Sequence, residues 1–207
     1  ERGVRFVEQQ HVGLRRQGTG DGRAADLAAR EALRVFFAGE AQLAQEIGAT
    51  MRIIRRAKAR GVRITAEATP HHISLTDELL ASYSALYKVN PPLRTIEDVV
   101  AVREGLQDGT IDAIATDHAP HAAHLKDQDL LAAPPGMLGL QSALGVALKY
   151  SGCSVQRVIE LMSWAPARIA GLTARQGNAV ASGNIANLVV FNPAAQWEQS
   201  LEQLVSK

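Results

Sequence analysis

Ile111-Asp112-Ala113-Ile114-Ala115-Thr116-Asp117-His118-Ala119-Pro120-His121 is the stretch that decides the fold. Its first half is a short, nearly continuous apolar run, the pattern of a strand buried on both faces in a parallel sheet. Its second half changes character at once, to a carboxylate, two histidines and a proline that stiffens the loop. In parallel α/β barrels the chemistry sits at the C-terminal ends of the strands. Asp117 therefore stands where a metal ligand or a general base belongs. A second reading stays open at this point, because Asp is also favoured in turns for its hydrogen bonding, and Asp117 would then only shape the chain after the strand.

The surroundings agree with such a sheet. Ile96 to Gln107 predicts a helix ending near Gly109, and Val62 to Ala68, β-branched and alternating, predicts a strand. Before it, Arg52 to Arg60 reads as a basic helical segment closed by Gly61. Thr76 to Leu86 predicts a short helix, Leu138 to Tyr150 an apolar one, and Val155 to Met162 another before Pro166. Val180, Gly183, Leu188-Val189-Val190-Phe191 and Pro193 predict short strands and turns of a small β unit. Upstream, Gly18 to Gly22 reads as a flexible loop, and residues 24–47 as helix broken near Gly39. Helices alternating with strands argue for α/β architecture. The organisation expected is an N-terminal segment over residues 1–51, an α/β part over 52–175 and a partial β domain over 176–207. Two such strands cannot close a barrel, so the sequence reads as part of something larger.

Composition excludes several functions. Of 207 residues, 46% are apolar but only 4% aromatic, so the core must be built from Ala, Val, Leu and Ile. A net charge of +1 argues against a nucleic-acid or membrane surface, which would need clustered positive charge. The single cysteine, Cys153, rules out an internal disulfide and a Cys-rich zinc site, and fits a reducing cytoplasm. No apolar run approaches the ~20 residues of a membrane span. Glu1 to Phe6 lacks the apolar region of a signal peptide.

Three more segments carry candidate chemistry. In Lys88-Val89-Asn90-Pro91-Pro92-Leu93-Arg94 the prolines push Asn90 towards an extended conformation. A rigid Asn offers a donor and an acceptor to an amide-like substrate, although Asn-Pro also marks plain turns. In Ala68-Thr69-Pro70-His71-His72, strand neighbours would point to opposite faces, so the two imidazoles should not share one ion. At least one is expected to be structural, or to support a ligand from behind rather than bind the ion itself. In Pro134-Pro135-Gly136-Met137-Leu138-Gly139-Leu140, Gly136 permits close backbone approach to a ligand, or the stretch is simply a loop before a helix.

Taken in order, Ala66 to His72, Asn90 to Arg94, Ile111 to His121 and Pro135 to Leu140 resemble the class I, long-form bacterial dihydroorotases of the metal-dependent amidohydrolase superfamily. The segment Gly183 to Pro193 is similar to the small β domain of those enzymes. The resemblance implies an α/β fold, a partial (β/α)8 TIM barrel with part of that β domain. It implies a site with two zinc ions, in which Asp117 is a zinc ligand and the proton shuttle. Asn90 and His121 would bind dihydroorotate, and backbone at Pro135 and Gly136 would line the pocket. The implied reaction is zinc-dependent, reversible hydrolysis of the dihydroorotate ring amide to carbamoyl aspartate, in pyrimidine biosynthesis. Implied partners are that small molecule, a second copy of the chain, or aspartate transcarbamoylase. Two alternatives remain open: a non-catalytic scaffold of the transcarbamoylase, or another cyclic amidohydrolase such as a hydantoinase or allantoinase.

The chain also departs from that pattern. His11-Val12-Gly13-Leu14-Arg15 is either a degraded copy of the family's His-x-His-Leu-Arg segment or a coincidence. Glu46 to Thr50 stands where a ligand-bearing strand end is expected, Trp164 where the family has Asn, and Asn187 where it has Asp. Only Asp117 can be placed among the expected ligands, whereas catalytic zinc normally takes three protein ligands and a water. The expectation is that this stretch alone is not a competent dihydroorotase.

Overall fold

The computed structural model describes residues 47–176, 179–196 and 198–206. The Gly18 to Gly22 loop, the His11 to Arg15 segment and all but the last residue of the helix expected over 24–47 lie outside the described residues.

Helix α1 runs Ile47–Ala59 and buries Met51, Ile54 and Ala57 along one face. It starts earlier than the Arg52 expected, so Ile47 to Thr50 form its first turn rather than the end of a strand. Arg56 and Lys58 lie in its last turn, where cations complement the helix dipole. Gly61, at φ 76°, reverses the chain. Strand β1, Glu67–Ala68, follows, and is shorter than the strand expected over Val62 to Ala68. A ladder exists only where a partner does. Ala66 O accepts from Asp112 N and Ala68 O from Ala115 N, at 2.8 and 3.0 Å.

Helix α2, Ile96–Asp108, matches its expectation at both ends. Thr95 caps it by accepting from the Asp98 amide, and Gly109 ends it in the left-handed conformation. Strand β2, Ala113–Ile114, then pairs in parallel with β1, in the register Glu67 to Ala113 and Ala68 to Ile114. The polar residue of the apolar run, Asp112, accepts from Lys58 Nζ at 2.7 Å and from the Ala66 amide at 2.8 Å. It thereby ties α1 to both strands. A short helix α3, Ala123–Lys126, and a loop lead to α4, Ala143–Tyr150. The core brings together Met51, Ile54, Ala68, Ile73, Leu106, Ile111, Ile114, Val158 and Leu161. Among the described residues no aromatic joins this cluster, which is built from aliphatic side chains and Met51.

Beyond α4 the expected stop before Pro166 does not occur. α5, Val155–Ile159, runs through a π-helical turn at Glu160–Trp164 into α6, Ala165–Ile169. Pro166 sits at the start of α6, where its missing N–H and fixed φ do no harm, and the π turn has already left the α-helical register. Among the described residues of 176–206 no strand forms, and Val189 and Val190 are 82% and 98% exposed. The β-branched pattern at Leu188 to Phe191 is suited to a ladder, and no described segment lies alongside to complete one.

Asp98, on α2, joins α1 to the Arg94 segment. Its Oδ1 accepts from the Ile47 amide and its Oδ2 from Arg94 Nε, both at 3.0 Å, and its side chain is 8% exposed. Asp98→Ala leaves a guanidinium and a helix-terminal N–H without this acceptor. It is expected to lower stability by about 3 kcal/mol, measured as a shift of the urea unfolding midpoint.

Candidate active site

Because β1 and β2 are parallel, their C-terminal ends open on the same side, and Thr69 to His72 meets Ala115 to His118 there. Pro70 carries the chain out of the strand at φ −56° and ψ −38°, into a 3-10 turn over His71–Ile73. The two histidines are therefore not strand neighbours on opposite faces. Their rings lie 4.5 Å apart, tilted by 49°.

His72 is structural, as expected of one of the pair. Its Nε2 donates to the carbonyls of Pro91 and Pro92, at 3.1 and 3.3 Å, and its Nδ1 accepts from the Thr69 hydroxyl at 2.7 Å. This assigns a neutral ring protonated at Nε2. Burial holds the ring below the ordinary imidazole range, against the pull of the Pro91 and Pro92 carbonyls. Both nitrogens are spent on bringing the Asn90-Pro91-Pro92 loop against the end of β1. The Asn90–Pro91 peptide is cis.

Asp117 follows β2 at φ 46°, a left-handed conformation that Asp and Asn tolerate better than other side chains. Its Oδ2 lies 3.9 Å from His71 Nε2. Burial pushes its carboxyl above the ordinary carboxylate range. Glu67, the first residue of β1, is raised as well, by burial and then by the neighbouring Asp117 carboxylate. The sequence reading passed over Glu67. The signal available was its position on the strand that precedes the histidines.

The remaining residues form a second wall. His118 Nδ1 accepts from the Gly139 and Leu140 amides, both at 3.1 Å, and its Nε2 donates to Ser206 Oγ at 3.0 Å. His118 thus shapes the loop after β2 and gives neither nitrogen to a ligand. A parallel bridge between His118 and Met137 extends the sheet edge. His121 Nε2 donates to Pro135 O at 2.9 Å, and the Gly136 amide donates to Lys88 O at 2.9 Å. A Cβ on Gly136 would stand 2.8 Å from His121 Nε2 and 2.9 Å from Ala119 O. So the structure links the Asn90 segment to the Pro135-Gly136 loop through Lys88, and that loop to His121, while His72 links the Asn90 segment to the strand end beside Asp117.

Residues 20–205 match the model of the Amidohydrolase family. The chain belongs to the amidohydrolase family. Dihydroorotases so named are similar to it: 47% identical over 161 residues in Sulfurihydrogenibium sp., covering 76% of this chain and 37% of that protein. The one from Leifsonia xyli subsp. xyli is 49% identical, covering 75% and 36%, and the one from Mycobacterium tuberculosis 44% identical, covering 86% and 45%. The chain thus spans less than half the length of these curated relatives. Among solved structures, L-hydantoinase (dihydropyrimidinase) from Arthrobacter aurescens superposes with a TM-score of 0.61 at 27% identity, over 67% of this chain and 32% of that one. D-hydantoinase from Bacillus sp. AR9 superposes with a TM-score of 0.67 at 22% identity, over 74% and 36%. The two parallel strands and their covering helices are accordingly part of an amidohydrolase (β/α)8 barrel.

Amidohydrolases are generally metal-dependent. Among the described residues, however, no three His, Cys, Asp or Glu side chains are grouped to hold a metal ion. His72 and His118 have both ring nitrogens committed to protein partners. Catalytic zinc normally takes three protein ligands. The described residues alone do not fit it, and the donors of a complete centre would have to come from elsewhere. No helix among the described residues is long and apolar enough to cross a membrane.

Proposed function

We propose that this amidohydrolase is a dihydroorotase, and that the described residues form the side of its site that receives the substrate ring. The observation that carries the reading is 44–49% identity to proteins named dihydroorotase over at least 75% of the chain. The solved hydantoinase with the highest identity quoted above reaches 27%. Geometry supports it: His72 ties the segment after Asn90 to the strand end beside Asp117, and Lys88 O ties the segment before it to the Pro135-Gly136 loop, which His121 meets in turn.

In this reading the flat cyclic amide lies against the Pro135-Gly136 backbone. Asn90 offers both a donor and an acceptor to the ring. His121 has Nε2 on Pro135 O, so Nδ1 is the nitrogen it turns to the substrate. Asp117 moves the proton. It takes one from the attacking water as the new C–O bond forms, and returns it to the ring nitrogen as the C–N bond breaks, giving carbamoyl aspartate. In biosynthesis the same steps run backwards and close the ring. Zinc is the metal this reading expects, with cytoplasmic pyrimidine synthesis as the setting and aspartate transcarbamoylase as a candidate partner.

The test compares dihydroorotate, dihydrouracil and a 5-substituted hydantoin as substrates of the intact protein, with zinc content measured in parallel. Turnover of dihydroorotate preferred over both others by about 100-fold or more is expected, since a site built to hydrogen-bond one substrate rejects analogues that leave its polar groups unpaired. Preference for hydantoin or dihydrouracil would overturn it. Zinc-free, inactive protein that co-purifies with the transcarbamoylase would favour the scaffold reading instead.

A further inference from the structure

Lys126 ends the short helix α3 and has no part in the chemistry above. Its ammonium lies 2.9 Å from Gly136 O, 3.1 Å from Pro134 O and 3.4 Å from Lys88 O. These acceptors are all backbone carbonyls, and they come from two segments. Pro134 and Gly136 flank Pro135 in the substrate loop, and Lys88 precedes Asn90 by two residues. Lys88 O also accepts from the Gly136 amide at 2.9 Å, so one carbonyl receives from both the loop and the lysine. Lys88 in turn sends its own ammonium to Leu131 O at 3.1 Å.

The arrangement is specific to lysine. An ammonium presents three donors fanned from one atom, and three converging carbonyls match that fan. The planar fork of arginine suits carboxylates and phosphates better. It also carries a cost. Burial, and then the charge of Lys88, hold Lys126 below the ordinary lysine range. No carboxylate is among its described partners, so the carbonyls replace the part of its hydration that burial removes.

We propose that Lys126 is a positioning residue for the substrate pocket. It locks the Pro135-Gly136 backbone to the Asn90 segment, so that the two walls of the ring-binding slot are in register before substrate arrives. The naming of the ligand rests on the dihydroorotase reading, while the locking itself does not.

Two measurements on the intact protein separate these. In Lys126→Met, exchange of the Gly136 amide is expected to speed up by about tenfold or more, since charge-assisted hydrogen bonds are lost. Exchange in α2 should stay unchanged and serve as the folding control. In the same variant KM for dihydroorotate should rise about tenfold with kcat nearly constant, the mark of lost ground-state and transition-state binding together. Lys126→Gln, which keeps a donor without the charge, should fall between parent and Met, and replaces it if Met does not fold. Unchanged Gly136 exchange overturns the proposal. Faster exchange with unaltered KM also overturns it, leaving Lys126 a fastener of the fold only. Should the parent protein not accept dihydroorotate, the dihydroorotase reading fails, and Gly136 exchange alone then decides the role of Lys126.

Discussion

Asp117→Asn should lower kcat for dihydroorotate by about a thousandfold while leaving KM and the thermal midpoint close to the parent, the loss expected when a positioned proton carrier is removed. Asparagine is the informative substitution. Asp117 sits at φ 46°, and Asn is the other residue commonly found in that left-handed conformation, so the backbone has no new strain to relieve. Alanine at the same place would confound lost chemistry with a shifted loop. The amide keeps the size and polarity of the side chain but cannot take a proton from water or return it to the ring nitrogen. Steady-state kinetics in both directions test this, because one proton carrier must serve hydrolysis and ring closure alike. A variant with kcat within about threefold of the parent would place the proton transfer on another group. Glu67 is then the next carboxyl to substitute, since it lies close enough to feel the charge of Asp117.

The parts of this site that could be read in the sequence are those where local pattern and long-range packing agree. The run Ile111 to Thr116 reads as buried on both faces, and both residues of β2, Ala113 and Ile114, are buried, as is Ile111 before them. Helix α2 carried its own stop, Gly109, and it acts as such. Where the reading went astray, partners distant in sequence decided the conformation. His71 and His72 follow a strand in sequence, yet Pro70 turns the chain before them, and His72 answers to carbonyls of Pro91 and Pro92, 19 and 20 positions away. Leu138 to Ser142 looked helical by composition, but the Gly139 and Leu140 amides are drawn to His118, and α4 begins only at Ala143. Lys126 offered no signal at all, because its acceptors are backbone carbonyls that any sequence would provide.

Gly136→Ala is the sharper test of the pocket itself. Gly136 lies at φ 141°, where an L side chain is strained by about 1–3 kcal/mol. The added methyl would also meet three atoms under 3.0 Å: His121 Nε2, Ala119 Cβ and Ala119 O. Two of these belong to a backbone stretch that follows β2 directly, so the neighbours cannot simply rotate aside. The cheaper response is for the loop to move, which pulls Pro135 O from His121 and the Gly136 amide from Lys88 O. Displacements of about 1 Å around a substrate can cost about 100-fold in rate. The expectation for Gly136→Ala is therefore a drop in kcat/KM for dihydroorotate of about 100-fold, with secondary structure and zinc content unchanged. Its profile should differ from that of Asp117→Asn, with KM rising as well as kcat falling, because the ring-binding wall is disturbed and the proton carrier is left in place. A Gly136→Ala protein with parent-like KM would mean that the substrate ring does not rest on this loop, and the wall would have to be sought elsewhere around Asp117.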